Sequence, residues 1–279
     1  MAKNAPSDYY NHAIPFIPTG YRRYHHYFSK FKNTILTTIS DIATRALKFQ
    51  NIVKSYEKKT VLHGVDLEIA KGEFFGLVGM NGAGKTTLIK CLFDFCAVDK
   101  GSIDIFGISH RLTQARKPVA FLPERFMPPY YLTGMDFLKY MLKLQSLPYA
   151  PSDVEAMLQA LDLEHSALTR PVRSYSKGMT QKLGLAACFL ARKDIYILDE
   201  PMSGLDPKAR ALLKTQLQKL RATGCTLFFS SHALADVEEI CDNMAILHEG
   251  RLRFTGSPAE CRQRYAADTL EQAYMTCIA

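Results

Sequence analysis

Nine consecutive residues, Gly79-Met80-Asn81-Gly82-Ala83-Gly84-Lys85-Thr86-Thr87, read as G-x-x-x-x-G-K-T. Glycines at this spacing let the backbone wrap a polyphosphate with its N–H groups pointing inward, and a following helix N-terminus adds positive potential. Lys85 can then reach the terminal phosphates, and the Thr86 hydroxyl can ligate Mg²⁺. Asn81, Gly82, Ala83, Gly84 and Thr87 complete the lining of such a cradle. A second stretch, Ile195-Tyr196-Ile197-Leu198-Asp199-Glu200, is an apolar run ending in two acids. On a strand, Asp199 falls at the C-terminal edge, where it can hold Mg²⁺ through water. Glu200 follows, placed to orient or deprotonate an attacking water. The chemistry written in these residues is nucleotide binding and phosphate-bond hydrolysis.

Such groups need elements to position them. The apolar run Phe74–Val78 reads as a strand feeding the glycine loop, and Thr86–Phe95 as the helix behind it. Upstream, Leu47, Phe49 and Val53 alternate with polar residues, and Val61–Ile69 makes a second strand. Downstream, strands are expected at Ser102–Phe106, Val119–Leu122, Ile195–Asp199, Thr226–Ser230 and Met244–His248. Residues 133–170 read as helical, with starts near Asp136, Asp153 and Glu164. The tail after Pro258 makes one or two short helices. Strands alternating with helices imply an α/β fold with a largely parallel sheet covered on both faces.

The chain has 279 residues and is 47% hydrophobic, enough for a substantial core. No stretch approaches the roughly eighteen apolar residues of a membrane span, and the N-terminus lacks an apolar signal core. Seven scattered cysteines form no C-x-x-C pair, so neither a zinc site nor a disulfide framework is expected. Of the net charge of +8, +5 falls in residues 1–48. There Phe28, Phe31, Ile35, Ile39, Ile42 and Ala46 form one apolar stripe at helical spacing. That basic amphipathic helix over 28–46 either packs on protein or lies on a membrane surface; the pattern leaves both open.

Taken in order, the motifs resemble the nucleotide-binding subunit of ABC transporters across residues 47–258. An aromatic residue, Tyr56, precedes the second strand, and the glycine loop follows. Tyr175-Ser176-Lys177-Gly178-Met179-Thr180-Gln181 resembles the family signature. Then come Asp199-Glu200, Ser203-Gly204-Leu205-Asp206, and His232 after a strand. The resemblance implies a P-loop NTPase of the ABC type: a mixed, mostly parallel core with an antiparallel β-subdomain and a helical subdomain at about 124–185. An N-terminal extension (1–45) precedes the ATPase domain (46–258), and a tail (259–279) follows it. The resemblance assigns Tyr56 to adenine stacking, Ser176 and Gly178 to the ATP of an opposite subunit, and His232 to the γ-phosphate. Asp206 would couple the two sites of a dimer. Ser176 also begins a helix, as anion binding requires. ATP and Mg²⁺ are the implied cofactors. The implied partners are a second ATPase subunit, identical or paralogous, and a separate polytopic permease, with the chain at the cytoplasmic face of the membrane.

Three positions depart from the family's usual pattern. Glu124 stands where a Mg²⁺-sensing glutamine is usual, Met179 replaces the signature glutamine, and Met202 replaces a threonine. Glu124 can still ligate Mg²⁺, directly or through water. The Tyr-Ser-Lys-Gly-Met form and Pro123-Glu124 are similar to type-2 exporters. Two other readings compete. A soluble ABC ATPase working on ribosomes or DNA would explain the basic arm, but such proteins resemble fused double cores or carry long coiled-coil insertions, so a nucleic-acid partner is not expected. A kinase or GTPase would lack the Ser-x-Gly signature and His232.

Overall fold

The structure, a computed structural model, describes residues 44–279. The stripe at 28–42 lies outside the described residues. Its expected end does not: Arg45 and Ala46 already belong to strand β1, Arg45–Tyr56, with Ala46 buried in the sheet.

Two sheets carry the fold. The first is antiparallel, in the order β2-β1-β4-β5, with β2 at Lys59–Ala70, β4 at Lys100–Ile105 and the short β5 at Ile108–Ser109. The second holds β10-β9-β3-β8-β7-β6. Its strands β3 (Phe74–Val78), β6 (Val119–Leu122), β7 (Ile195–Asp199), β8 (Thr226–Ser231) and β9 (Asn243–His248) pair in parallel. β10 (Arg251–Gly256) closes one edge antiparallel to β9.

The parallel strands are apolar throughout because both faces of their sheet are covered. Side chains alternate between two cores with the period of two that a strand imposes. Phe74, Val78, Tyr196, Leu198, Leu227, Phe229, Met244 and Ile246 face one cluster. Phe75, Leu77, Ile195, Ile197, Phe228, Ala245 and Leu247 face the other. The second cluster joins the two sheets and encloses helix α1, Lys85–Leu92, through Leu88, Ile89 and Leu92. At its centre Phe228 sits 6.2 Å from both Phe49 and Phe75. The first cluster is capped by the helices α2 (Gly134–Leu144), α3 (Pro151–Ala160), α4 (Lys177–Leu190), α5 (Pro207–Arg221), α6 (Leu234–Ile240), α7 (Pro258–Arg264) and α8 (Leu270–Ile278).

Several expected boundaries shift for identifiable reasons. In β1 it is Ile52, not Val53, that is fully buried, because Asn51 at φ 48° makes a bulge that slips the register. Opposite the bulge, Gly101 (φ 98°) lies so close that a Cβ would come 2.3 Å from the Gln50 carbonyl. Helix α1 stops three residues before Phe95, where Asp94 turns left-handed at φ 58°. The first helix of 133–170 starts earlier than Asp136: Thr133 is its cap, accepting from the Asp136 amide. The start at Glu164 yields only a short 3₁₀ turn, His165–Leu168. Helix α4 carries the helical region on to Leu190, past the expected limit of 185.

Candidate functional site

Strand order builds the site. β8 lies between β3 and β7, and all three run the same way. Their C-terminal ends are therefore neighbours: Val78 pairs with Ser231, and Asp199 with Ser230. The glycine loop, the two acids and His232 leave these three ends, so one edge of the sheet collects residues far apart in sequence.

The loop is shaped from below and open above. A Cβ on Gly79 would lie 2.4 Å from the Leu247 carbonyl, so the chain can leave β3 this closely only as glycine. Gly82 is left-handed at φ 84° and faces open space. Ala83 and Gly84 are buried, whereas Asn81 and Gly82 are exposed. Lys85 is buried and its ammonium donates to the Gly79 carbonyl at 2.7 Å, which turns it back over the loop.

The acids meet the loop from β7. Glu200 adopts φ 50°, a conformation that costs a non-glycine residue about 1 kcal/mol and is found where function demands a sharp turn. Its amide donates to Ser230 Oγ at 3.0 Å, and the Ser230 hydroxyl in turn donates to Asp199 Oδ1. One serine thus fixes both acids. Glu200 Oε1 lies 3.4 Å from Lys85 Nζ, an ion pair outside hydrogen-bond geometry, and Oε2 lies 2.8 Å from His232 Nδ1. Lys85, Glu200 and His232, expected to act together, are together.

Asp199 is 2% exposed, and burial pushes its carboxyl above the usual carboxylate range. Hydrogen bonds from Ser230 and Thr86 oppose that rise, and the neighbouring charges of Glu124 and Glu200 add to it. The pairing of Thr86 with Asp199 suits a divalent cation, which would relieve the crowded negative charge. Among the described residues, no three His, Cys, Asp or Glu side chains gather closely enough to hold a metal alone. A cation here would need oxygens from a phosphate as well. Glu124 itself is exposed just past β6, close enough for its charge to be felt at Asp199.

Tyr56 ends β1, 44% exposed, with the Lys54 ammonium 5.2 Å from its ring centre. Its hydroxyl lies beside Cys96 and beside Thr87 of the loop helix without meeting strict hydrogen-bond geometry. The Cys96 thiol beside it, with burial, pushes the phenol up to about 12. The expected adenine platform therefore stands next to the helix of the phosphate loop.

Ser176 and Gly178 stand apart from this cluster. Ser176 caps α4 by accepting from the Met179 amide at 3.2 Å. Gly178 packs on the Ser203–Asp206 turn, where a Cβ would lie 3.0 Å from the Gly204 carbonyl, and Lys177 Nζ donates to Ser203 Oγ at 3.1 Å. Neither contact set reaches the phosphate loop. Asp206 is exposed and caps α5, accepting from the Ala209 amide at 2.9 Å.

Two participants had no sequence signal strong enough to select them. Gln181 is buried and donates to the Pro201 carbonyl at 3.1 Å, tying the signature helix to the chain after Glu200. Tyr274, on the terminal helix α8, brings a buried hydroxyl to the Met80 amide of the loop without meeting strict hydrogen-bond geometry. A cavity of about 710 Å³ between Lys71, Phe106, Arg192 and Thr226 lies at the opposite edge of the sheet, where the parallel strands begin.

Residues 62–203 match the sequence profile of the family described as ABC transporter. The chain is 38% identical over 207 residues to an uncharacterised ABC transporter ATP-binding protein of Synechocystis sp., covering 73% of this chain and 58% of that protein. It is 35% identical over 218 residues to the Nod factor export ATP-binding protein I of Paraburkholderia xenovorans, covering 77% and 71%. A solved ATP-binding subunit of an ABC transporter superposes with a TM-score of 0.77 at 29% identity, over 83% of this chain and 99% of that one. By that profile match and by these relatives, the chain belongs to the ABC transporter family.

Proposed function

We propose that the chain is the ATP-hydrolysing motor subunit of an ABC exporter. The observation that carries this reading is the convergence on Glu200 of Lys85 from the phosphate loop and His232 from the neighbouring strand. ATP would lie along the loop, its base on Tyr56 and its phosphates against the amides of Asn81–Thr87 and the Lys85 ammonium. Mg²⁺, held by Thr86 and Asp199 with Glu124 nearby, neutralises charge on the phosphate oxygens when bound. Glu200 takes a proton from the attacking water, and His232 keeps that carboxylate oriented toward it.

Because the contacts of Ser176 and Gly178 do not include the loop of their own chain, their helix start would be available to the nucleotide of a second subunit, identical or paralogous. Head-to-tail pairing would give two composite sites, coupled through Asp206 on the turn packed against Gly178. Closing and opening of that dimer would drive a separate polytopic permease. Export rather than uptake is favoured by the similarity to the Nod factor export ATP-binding protein and by the Pro123-Glu124 pair. No helix of the described residues is long and apolar enough to cross a membrane. Attachment at the cytoplasmic face would fall to the permease and to the amphipathic stripe at 28–42 with its basic flanks. In this division the extension is 1–45, the ATPase domain 46–258 and the tail 259–279.

The test is co-purification of the tagged full chain from its native cells in mild detergent, with phosphate release measured in parallel. A stoichiometric polytopic partner and Lys85-dependent hydrolysis are expected. Ribosomal proteins or nucleic acid in place of that partner would reject the transporter reading. Deleting 1–45 should weaken membrane or partner attachment while nucleotide binding persists.

A further inference from the structure

Cys91 lies in the last turn of α1 and is fully buried; Cys96 follows the turn that ends the helix and is half-exposed. Both are free thiols, with their sulfurs 3.6 Å apart. The turn between them is tightly specified. Asp94 is left-handed at φ 58°, its amide donates to the Cys91 carbonyl at 3.0 Å, and the Phe95 amide donates to the Lys90 carbonyl at 2.9 Å. A disulfide sets its sulfurs at about 2.05 Å, so the pair needs to close by only about 1.5 Å.

Cys96 is also a neighbour of Tyr56. The tyrosine hydroxyl lies beside both Cys96 and Thr87, short of strict hydrogen-bond geometry, so the thiol sits where the exposed ring meets the helix of the phosphate loop. Drawing the Cys96 sulfur toward Cys91 changes the packing under that hydroxyl.

We propose that Cys91 and Cys96 form a reversible intrachain disulfide, by exchange with a small-molecule disulfide, which displaces Tyr56 and weakens nucleotide binding. In the first step the more accessible Cys96, as thiolate, attacks one sulfur of RS–SR. The S–S bond breaks, and one RSH leaves with the proton that Cys96 gave up. In the second step Cys91 gives up its proton and attacks the Cys96 sulfur of the mixed disulfide, and the second RSH leaves. Two protein thiols become one disulfide while one small disulfide becomes two thiols, so atoms and electrons balance. Burial pushes the Cys91 thiol up to about 12, so the second step is the slow one. Exchange of this kind is reversible, as disulfides in reducing compartments generally are.

The effect on affinity rests on Tyr56 being the adenine platform; formation of the bond does not. The full chain is equilibrated in glutathione buffers from fully reduced to fully oxidised and quenched in acid. Its peptides are then mapped by mass spectrometry. Material whose intact mass shows no glutathione adduct is titrated with a fluorescent ATP analogue. The expected result is a linked Cys91–Cys96 peptide and a dissociation constant raised about fivefold, the weight of one lost polar contact, restored by a dithiol reductant. In Cys91→Ser the linked peptide is absent under the same buffers. A Cys96 adduct without linkage at every ratio overturns the proposal, as does linked protein that binds with the reduced protein's affinity. Failure of the reduced chain to bind the analogue at all would overturn the nucleotide reading instead, while the peptide map still decides the disulfide.

Discussion

His232 Nδ1 lies 2.8 Å from Glu200 Oε2, joining an exposed imidazole to a buried carboxylate. The histidine reaches it from the end of β8 and the acid from the end of β7, so the contact depends on those strands being neighbours. The other carboxylate oxygen turns toward Lys85. The acid thus sits between the two groups nearest to where a terminal phosphate would lie.

From that position, Glu200→Gln should keep the fold and ATP binding while hydrolysis falls by a factor of about 10²–10⁴, the weight of a positioned general base. Dimers should accumulate in ATP because reopening follows hydrolysis. Phosphate release and size-exclusion chromatography read the two effects. Hydrolysis at the parental rate would remove Glu200 from the role of base.

Ser230 serves two masters, accepting from the Glu200 amide and donating to Asp199. It is fully buried, so in Ser230→Ala both partners lose a bond that water cannot replace. A stability loss of about 1–3 kcal/mol is expected, together with a higher Mg²⁺ requirement for hydrolysis. Thermal melts and Mg²⁺ titrations check these. An unchanged Mg²⁺ requirement would reduce Ser230 to a packing residue.

Burial raises the Asp199 pKa above its unfolded value. Between those two values the folded chain binds more protons than the unfolded one, so stability falls as pH rises through the raised pKa. Asp199→Asn removes that loss. The variant should melt at the parental temperature or higher near neutrality, with its advantage disappearing at acid pH. It should also lose the stabilisation that Mg²⁺ with ATP gives the parent. Melting curves from acid to neutral pH, with and without Mg²⁺ and ATP, follow both effects; a parental slope in the variant would contradict the assignment.

Two glycines of the loop should respond differently to alanine. At Gly79 the new methyl meets backbone at 2.4 Å, so either β3 or the Leu247 strand must shift. At Gly82 nothing stands within 4 Å, and the cost is that of φ 84° alone, about 1–2 kcal/mol. Gly79→Ala should therefore lower the melting temperature more than Gly82→Ala. The reverse order would mean that the loop is not shaped by the Leu247 carbonyl.

Much of the site was legible because its groups are tied to strand ends. Phe74–Val78 and Ile195–Asp199 are continuous apolar runs whose last residues fall where a parallel sheet presents ligands. Runs of that kind announce themselves without neighbours. Ile52 did not, because the bulge at Asn51 is set by contacts to Asp66 and Gly101, both distant in sequence. Gln181 and Tyr274 were silent for a related reason: each acts through a backbone group brought to it only by the folded chain. The edge strand β10 was also missed, since its alternation of exposed Arg251, Arg253 and Thr255 with Leu252 and Phe254 offers only two apolar residues.

Strand β8 and the residue just past it bring Ser230 and His232, two residues apart, to the same acidic pair. Slipping its register by a single residue would turn Ser230 from Asp199 toward the other face of the sheet and carry Phe228 out from between Phe49 and Phe75. A misaligned β8 would therefore be penalised by the core before it could ever present a faulty site. Misfolded chains of this kind should be lost to degradation rather than persist as inactive but well-packed protein.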